Sequence, residues 1–307
     1  MKPYQAPWWL PGGHLQTIHG AFGPAPRVAW RRERWDTPDG DFIELDWAHD
    51  GGKGPLVALF HGLEGGSGSH YARKLAHEAG RIGWRCVVPH FRGCSGELNR
   101  LPRAYHSGDS DEIDWILRRL APDFAAGVSL GGNALLKWLG EQGAAAARVV
   151  RRAVAASAPL DLAASGDTLD RGLHRLLYAR HFLASMKAKA RAKIARRHLS
   201  LDPARLARMR TLRAFDDQIT APLHGFRDAD DYWARASSAP WLEHIRVPTL
   251  VVNACNDPFL PAAALEAATR RAPRDVVLEF PATGGHAAFP GRGHWLARRM
   301  LEFFATP

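Results

Sequence analysis

Short apolar runs recur along this chain and alternate with stretches of helical periodicity. That rhythm constrains the fold more than any other feature. The runs at 56–60 (LVALF), 124–128 (FAAGV), 153–156 and 249–253 are continuous rather than alternating, and further strand candidates fall at 42–47, 84–89 and 276–280. A strand covered on both faces has this pattern. Helical candidates lie between them at 70–82, 109–120, 132–141, 262–271 and 293–304. The helix from Asp109 carries acids in its first turn and Arg118 and Arg119 in its last, which suits the helix dipole. Strands alternating with helices predict an α/β fold with a mostly parallel central sheet flanked by helices. With 46% hydrophobic and 23% charged residues, the chain of 307 residues has ordinary globular composition, so disordered, collagen-like and coiled-coil classes are excluded. Its apolar runs fall far short of the roughly 18 residues of a membrane span.

The rhythm breaks between 162 and 240, where no convincing strand occurs. This segment predicts a helical insertion capping one end of the sheet, within a single domain whose core is 1–161 and 241–307. The net charge of +10 is concentrated in the insertion: thirteen Lys and Arg against one acid, Asp202, fall in 171–213, and the remainder is close to neutral. Leu176, Leu177, Phe182 and Leu183 recur near helical spacing, which predicts that they face a pocket or the core while the Lys and Arg face outward.

The chemistry gathers at predicted strand ends. Gly127-Val128-Ser129-Leu130-Gly131, followed by Gly132, sits where a strand ends and a helix begins. Gly127 and Gly131 permit a strained turn that lifts the Ser129 hydroxyl above the sheet edge with a helix N-terminus beneath it. A serine needs a base and a group to orient that base. Asp257 and His286 follow the next two predicted strands, in the chain order such a turn demands, at the edge where open α/β sheets bind ligands. Asp161 is the rival acid, and His294 is the rival base, although it falls within a predicted helix. The loop His61-Gly62-Leu63-Glu64-Gly65 follows the strand at 56–60, so the backbone N–H of Leu63 can pair with that of Leu130 as an oxyanion hole. His61 is expected to orient backbone.

The long blocks around these residues resemble the YheT-like family of α/β-hydrolase fold serine esterases, related to eukaryotic α/β-hydrolase-domain lipid and ester hydrolases. They are PWWLPGGHLQTI (7–18), HGLEGGSGSHYARKLA (61–76), HFRGCSGELNRLPRAYHSGDSDEI (90–113), GVSLGGNALLKWLGE (127–141), SAPLDL (157–162), FDDQITAPLHGF (215–226), VPTLVVNACNDPF (247–259) and GGHAAF (284–289). The resemblance implies hydrolysis of short- to medium-chain carboxylic esters or monoacylglycerol-like lipids through Ser129, Asp257 and His286, without a cofactor. Arg92 resembles the arginine of a loop that shapes the pocket in this fold. Ala287 stands where relatives carry a bulkier aliphatic residue, implying a wider acyl pocket.

The same scaffold can transfer an acyl group to another alcohol, or serve as a non-catalytic binding protein. Cys94 lacks a base and is expected to be a packed thiol, and no Cys or His spacing suggests a metal. The cysteines Cys86, Cys94 and Cys255 form no disulfide framework, and prolines interrupt the first residues where a signal peptide needs an apolar run, so a cytoplasmic location is expected. For the basic stretch 171–213, a solvated face, contact with an anionic membrane and nucleic-acid binding compete. The absence of a nucleic-acid motif argues against the last.

Overall fold

A computed structural model describes residues 3–291 and 293–306. Its central sheet runs β1 (Arg31–Asp36), β2 (Phe42–Ala48), β3 (Leu56–Phe60), β4 (Arg85–Pro89), β5 (Phe124–Val128), β6 (Arg152–Ala156), β7 (Thr249–Val252) and β8 (Val276–Glu279). The strand order is β1-β2-β4-β3-β5-β6-β7-β8. Pairing is antiparallel for β1–β2 and β2–β4 and parallel from β4 through β8. Every residue of β3 and β5 is buried, because helices cover both faces of the sheet. One apolar core cluster therefore centres on Phe60, Leu135 and Trp138, and another on Leu59, Val88 and Phe304.

The sequence pattern missed β1. RRERWD has no apolar run, but an edge strand needs none when its side chains are paired across the sheet. Arg32 binds Asp46 at 2.8 Å and Arg34 binds Glu44 at 2.7 Å, both on β2. Helix α1 (Gly12–Phe22) was also missed, since two glycines and no acid mark its start poorly. Helices α2 (His70–Arg81), α3 (Ser110–Leu120) and α4 (Leu130–Gln142) follow the predicted positions, α4 starting directly after Ser129.

Residues 157–248 join β6 to β7 and form only helices and turns among the described residues. They include α5 (Leu162–Leu169), a continuous helix over 172–195, α6 (Pro203–Arg208) and α7 (Ala229–Ala236). The helix over 172–195 contains a π turn at Arg175–Ala179. Such a turn shifts the side-chain register, so one periodicity cannot be extended along the whole helix. Accordingly, Leu183 is buried and Phe182 half-buried, but Leu176 and Leu177 point to solvent at 61% and 40% exposure. Lys193 is buried and donates to the carbonyls of Leu101, Pro102 and Arg103 at 2.9, 2.8 and 2.7 Å. The expectation that the lysines face outward fails here.

The chain closes with α8 (Ala262–Thr269) and α9 (Trp295–Ala305). His294 is not inside that last helix but precedes it with φ 51°, and its Nδ1 lies 2.9 Å from Glu78. No helix among the described residues is long and apolar enough to cross a membrane.

Candidate active site

Ser129 sits at φ 54° and ψ −123°, between the end of β5 and the first turn of α4. Positive φ is strained for a residue with a side chain, so the surroundings must hold it. The Ser129 N–H donates to Ala156 O at 2.9 Å, tying the turn to the end of β6. The flanking glycines are required by close approach. A Cβ at Gly127 would lie 2.4 Å from Gly131 O, and one at Gly131 would lie 2.4 Å from Phe60 O.

His286 follows β8 on a loop, and its Nδ1 lies 2.9 Å from Asp257 Oδ2 and 3.2 Å from Oδ1. An ionised carboxylate only accepts, so Nδ1 carries the proton. Nε2 is left as the acceptor, 2.9 Å from Ser129 Oγ. Asp257 is buried, and its Oδ1 also accepts the Phe259 N–H at 2.8 Å. The Phe259 ring stacks on the imidazole with centroids 3.9 Å apart. The rival acid is otherwise engaged: Asp161 caps α5 by accepting the Ala164 N–H at 3.0 Å. The rival base, His294, belongs to the Glu78 pair.

Across the cleft, the loop after β3 passes over the nucleophile turn, where a Cβ at Gly62 would lie 3.1 Å from Ser129 Cβ. Among the described residues, the N–H groups of Leu63 and Leu130 have no backbone or side-chain acceptor, and both residues line the cleft beside Ser129 and His286. Two tyrosines fix the loop. Tyr71 Oη accepts the Gly62 N–H at 2.8 Å, and Tyr105 Oη accepts the Glu64 N–H at 2.9 Å while donating to the Glu64 carboxylate at 2.7 Å. Lys189, from the helix over 172–195, donates to the same carboxylate at 2.8 Å. Glu64 has φ 55°, so this clamp holds a strained residue.

His61 is fully buried with Nδ1 2.7 Å from Gly62 O, while its Nε2 accepts the Phe91 N–H at 3.1 Å. Burial lowers its pKa to about 3, so it is a neutral strut between two loops. Arg92 lines the cleft but is buried against Glu112, Asp39 and Asp41 at 2.6, 2.8 and 3.2 Å. The Cys94 thiol is pushed up to about 11 by burial. Ala287 does not border the cleft; it faces His70, Tyr71 and Val128 on the other side of the histidine loop, so its small size widens no acyl pocket.

Sequence reasoning missed the bracing of the histidine loop by α1. Thr17 Oγ1 accepts the His286 N–H at 2.8 Å, and Gln16 Oε1 accepts the Gly284 N–H at 2.8 Å. Ser157 Oγ accepts the Ala287 N–H at 2.9 Å. Two buried polar residues inside PWWLPGGHLQTI were the available signal, because buried polar groups seek partners. The sequence also gave no hint of one side-chain cluster: His77, Glu78 and His294 bring three possible ligand atoms within 4.8 Å of one another. Arg298 and Arg81 already contact the Glu78 carboxylate at 2.9 and 3.3 Å and oppose a further cation.

The cleft above Ser129 holds about 1260 Å³, its open mouth included, and is lined mainly by apolar side chains such as Phe182, Met186, Leu212, Phe215, Leu223 and Trp233. Residues 55–292 match the model of the alpha/beta hydrolase fold family. The chain belongs to the α/β-hydrolase family. This α/β-hydrolase is 38% identical to the Escherichia coli (strain K12) protein YheT, which is named an esterase, over 95% of this chain and 90% of that one. It therefore falls in the YheT-like group. It is 31% identical to the phospholipase ABHD3 of Mus musculus, covering 86% of this chain and 67% of the relative. A thermophilic esterase from Thermogutta terrifontis shares the fold with a TM-score of 0.54 at 20% identity, covering 90% of this chain and all of that one.

Proposed function

We propose that this chain is a carboxylic ester hydrolase in which Ser129, His286 and Asp257 act as a catalytic triad. One observation carries the reading: His286 bridges Asp257 and Ser129 with the tautomer that leaves Nε2 free to take the serine proton. In the proposed cycle Ser129 Oγ attacks the ester carbonyl as His286 Nε2 removes its proton, and Asp257 stabilises the resulting imidazolium. The N–H groups of Leu63 and Leu130 receive the oxyanion. His286 protonates the departing alcohol, and water repeats the sequence on the acyl-enzyme. Transfer of the acyl group to a second alcohol would use the same steps.

The helices over 162–240 form the cap in this reading, and their apolar side chains wall the acyl site. The apolar lining of the cleft supports short- to medium-chain esters and monoacylglycerol-like lipids, and the proposed cycle uses no cofactor. The names of the relatives, esterase and phospholipase, point to the same bond class. A chain-length series of p-nitrophenyl esters and monoacylglycerols, run on wild type and Ser129→Ala, tests it. The wild type should turn over at least part of the series, and Ser129→Ala should lose about 10⁴- to 10⁶-fold in kcat while remaining folded. Retained hydrolysis in the alanine variant would remove Ser129 from the mechanism. Failure of a fluorophosphonate to label the wild type would favour a binding protein on a hydrolase scaffold.

A further inference from the structure

Most of the large apolar side chains that face solvent belong to two segments. Trp8, Trp9, Leu15 and Phe22 are 91, 52, 49 and 83% exposed, and Leu173, Leu176 and Leu177 are 54, 61 and 40% exposed. Each helix has a buried side and a side with exposed apolar residues. On α1 the exposed Leu15 and Phe22 stand at i and i+7 with the half-buried Ile18 and His19 between them at i+3 and i+4, whereas Gln16, Thr17 and Gly20 are buried. On the helix over 172–195, Leu173, Leu176 and Leu177 face solvent beside the exposed Arg175 and Arg180, while Tyr178 and Ala179 are buried.

The two exposed sides are neighbours. His14 of α1 stacks on Tyr178 with centroids 5.8 Å apart and lies 5.0 Å from His174, and Trp9 packs edge-on against His19 at 5.3 Å. The patch also borders the site. Tyr178 packs on Phe259 at 4.6 Å, Phe259 stacks on His286, and Phe182, one turn beyond Tyr178, lines the cleft.

Its charge is not neutralised. Arg175 and Arg180 are exposed and have no acidic partner among the described residues, and the same holds for Arg191 on this helix and for Arg196 and Arg197 just beyond its end. Lys187, Lys189 and Lys193 contribute little, because they bond carbonyls or Glu64 instead. A large exposed apolar patch marks an interaction site. Tryptophans beside leucines, rimmed by unpaired arginines, match the interfacial zone of an anionic bilayer: the rings enter the headgroup layer and the cations meet lipid phosphates.

We infer that α1 and the exposed side of the helix at 173–180 form a docking surface for anionic phospholipid membranes, which presents the cleft mouth to substrate in the lipid layer. This rests on the ester-hydrolase reading for its purpose, not for its test. The full chain is floated with vesicles of phosphatidylcholine alone or of equal parts phosphatidylcholine and phosphatidylglycerol. In parallel, turnover of soluble p-nitrophenyl butyrate is measured without vesicles.

Wild type should bind the anionic vesicles and release as salt rises. Arg175→Gln with Arg180→Gln should weaken binding about fivefold per arginine, and Trp8→Ala with Leu176→Ser should weaken it at least about tenfold. Brominated lipids should quench tryptophan emission less in Trp8→Phe than in wild type. Soluble turnover should stay within about twofold in all these variants, since none lines the cleft. Absence of binding to anionic vesicles at low salt would overturn the docking surface while leaving the ester reading to the soluble assay. Equal binding of both vesicle types, unaffected by the arginine variants, would overturn it. So would a dimer that Trp8→Ala with Leu176→Ser dissolves, because a second copy would then cover the patch.

Discussion

Asp161 and Asp257 both follow strands at the same sheet edge, and what claims their oxygens separates them. Asp161 is occupied by the N–H of Ala164, whereas Asp257 faces the imidazole. Asp257→Asn should therefore lower kcat about 10³- to 10⁴-fold by favouring the wrong tautomer. Asp161→Ala should leave kcat nearly unchanged and cost about 1 kcal/mol of stability through the lost cap. Ester turnover and denaturant midpoints on both variants check this, and the reverse ranking would move the orienting role to Asp161. The three residues that meet at the site were legible in the sequence because Ser129, Asp257 and His286 each follow a strand, in that order. Their supports were not. Glu64 is an ordinary letter in a glycine-rich loop, and only folding shows that Tyr105 and Lys189 grip it from distant segments. Glu64→Gln keeps the shape but weakens the grip of Lys189 on a residue at φ 55°. If this clamp positions the Leu63 N–H, kcat should fall about tenfold with KM little changed, since an oxyanion donor acts mainly in the transition state. A change confined to KM would make the clamp part of the substrate wall instead.

At the scale of elements, strands buried on both faces were readable to within about a residue, because continuous apolar runs have few other uses in a globular chain. What escaped was structure held by polar contacts. The edge strand β1 is held by arginine–carboxylate pairs to β2, and α1 is held by Gln16 and Thr17 against the histidine loop. The π turn at Arg175–Ala179 escaped too, and with it the true outward face of its helix. The role of α1 is testable. Thr17→Val removes the acceptor of the His286 N–H while keeping volume and branching. An unpaired buried donor costs about 1–3 kcal/mol, concentrated here on one loop. The expected result is a fall in kcat of about tenfold or more with only a modest loss in global stability, and Thr17→Ser should recover most of the rate. If Thr17→Val and Thr17→Ser lose equal rate, packing by the methyl group matters rather than the hydroxyl.

Over the whole molecule, the positive charge that seemed a uniform basic face divides into two parts. Arginines such as Arg175, Arg180 and Arg191 stay at the surface, while Lys189 and Lys193 turn inward and tie the helix over 172–195 to the walls of the cleft. Lys193 holds the carbonyls of residues 101–103, so its ammonium group is a joint between the helical segment and the loop before α3. Burial lowers its pKa from 10.5 to about 8. An unfolded chain keeps the proton up to the ordinary lysine range, so between these limits the unfolded state binds more protons and stability rises with pH. The cost of burying the charge is thus fully present below the folded pKa and disappears as pH climbs through the window. Lys193→Met abolishes this titration and leaves the carbonyls without their donor. The stability of wild type relative to Lys193→Met should therefore shift in favour of wild type as pH rises from about 7 to about 10. Urea midpoints of the two proteins across that range measure the difference and cancel the titrations they share. A difference that stays flat would show that Lys193 keeps its ordinary pKa when folded, with its carbonyl partners fully offsetting the loss of water.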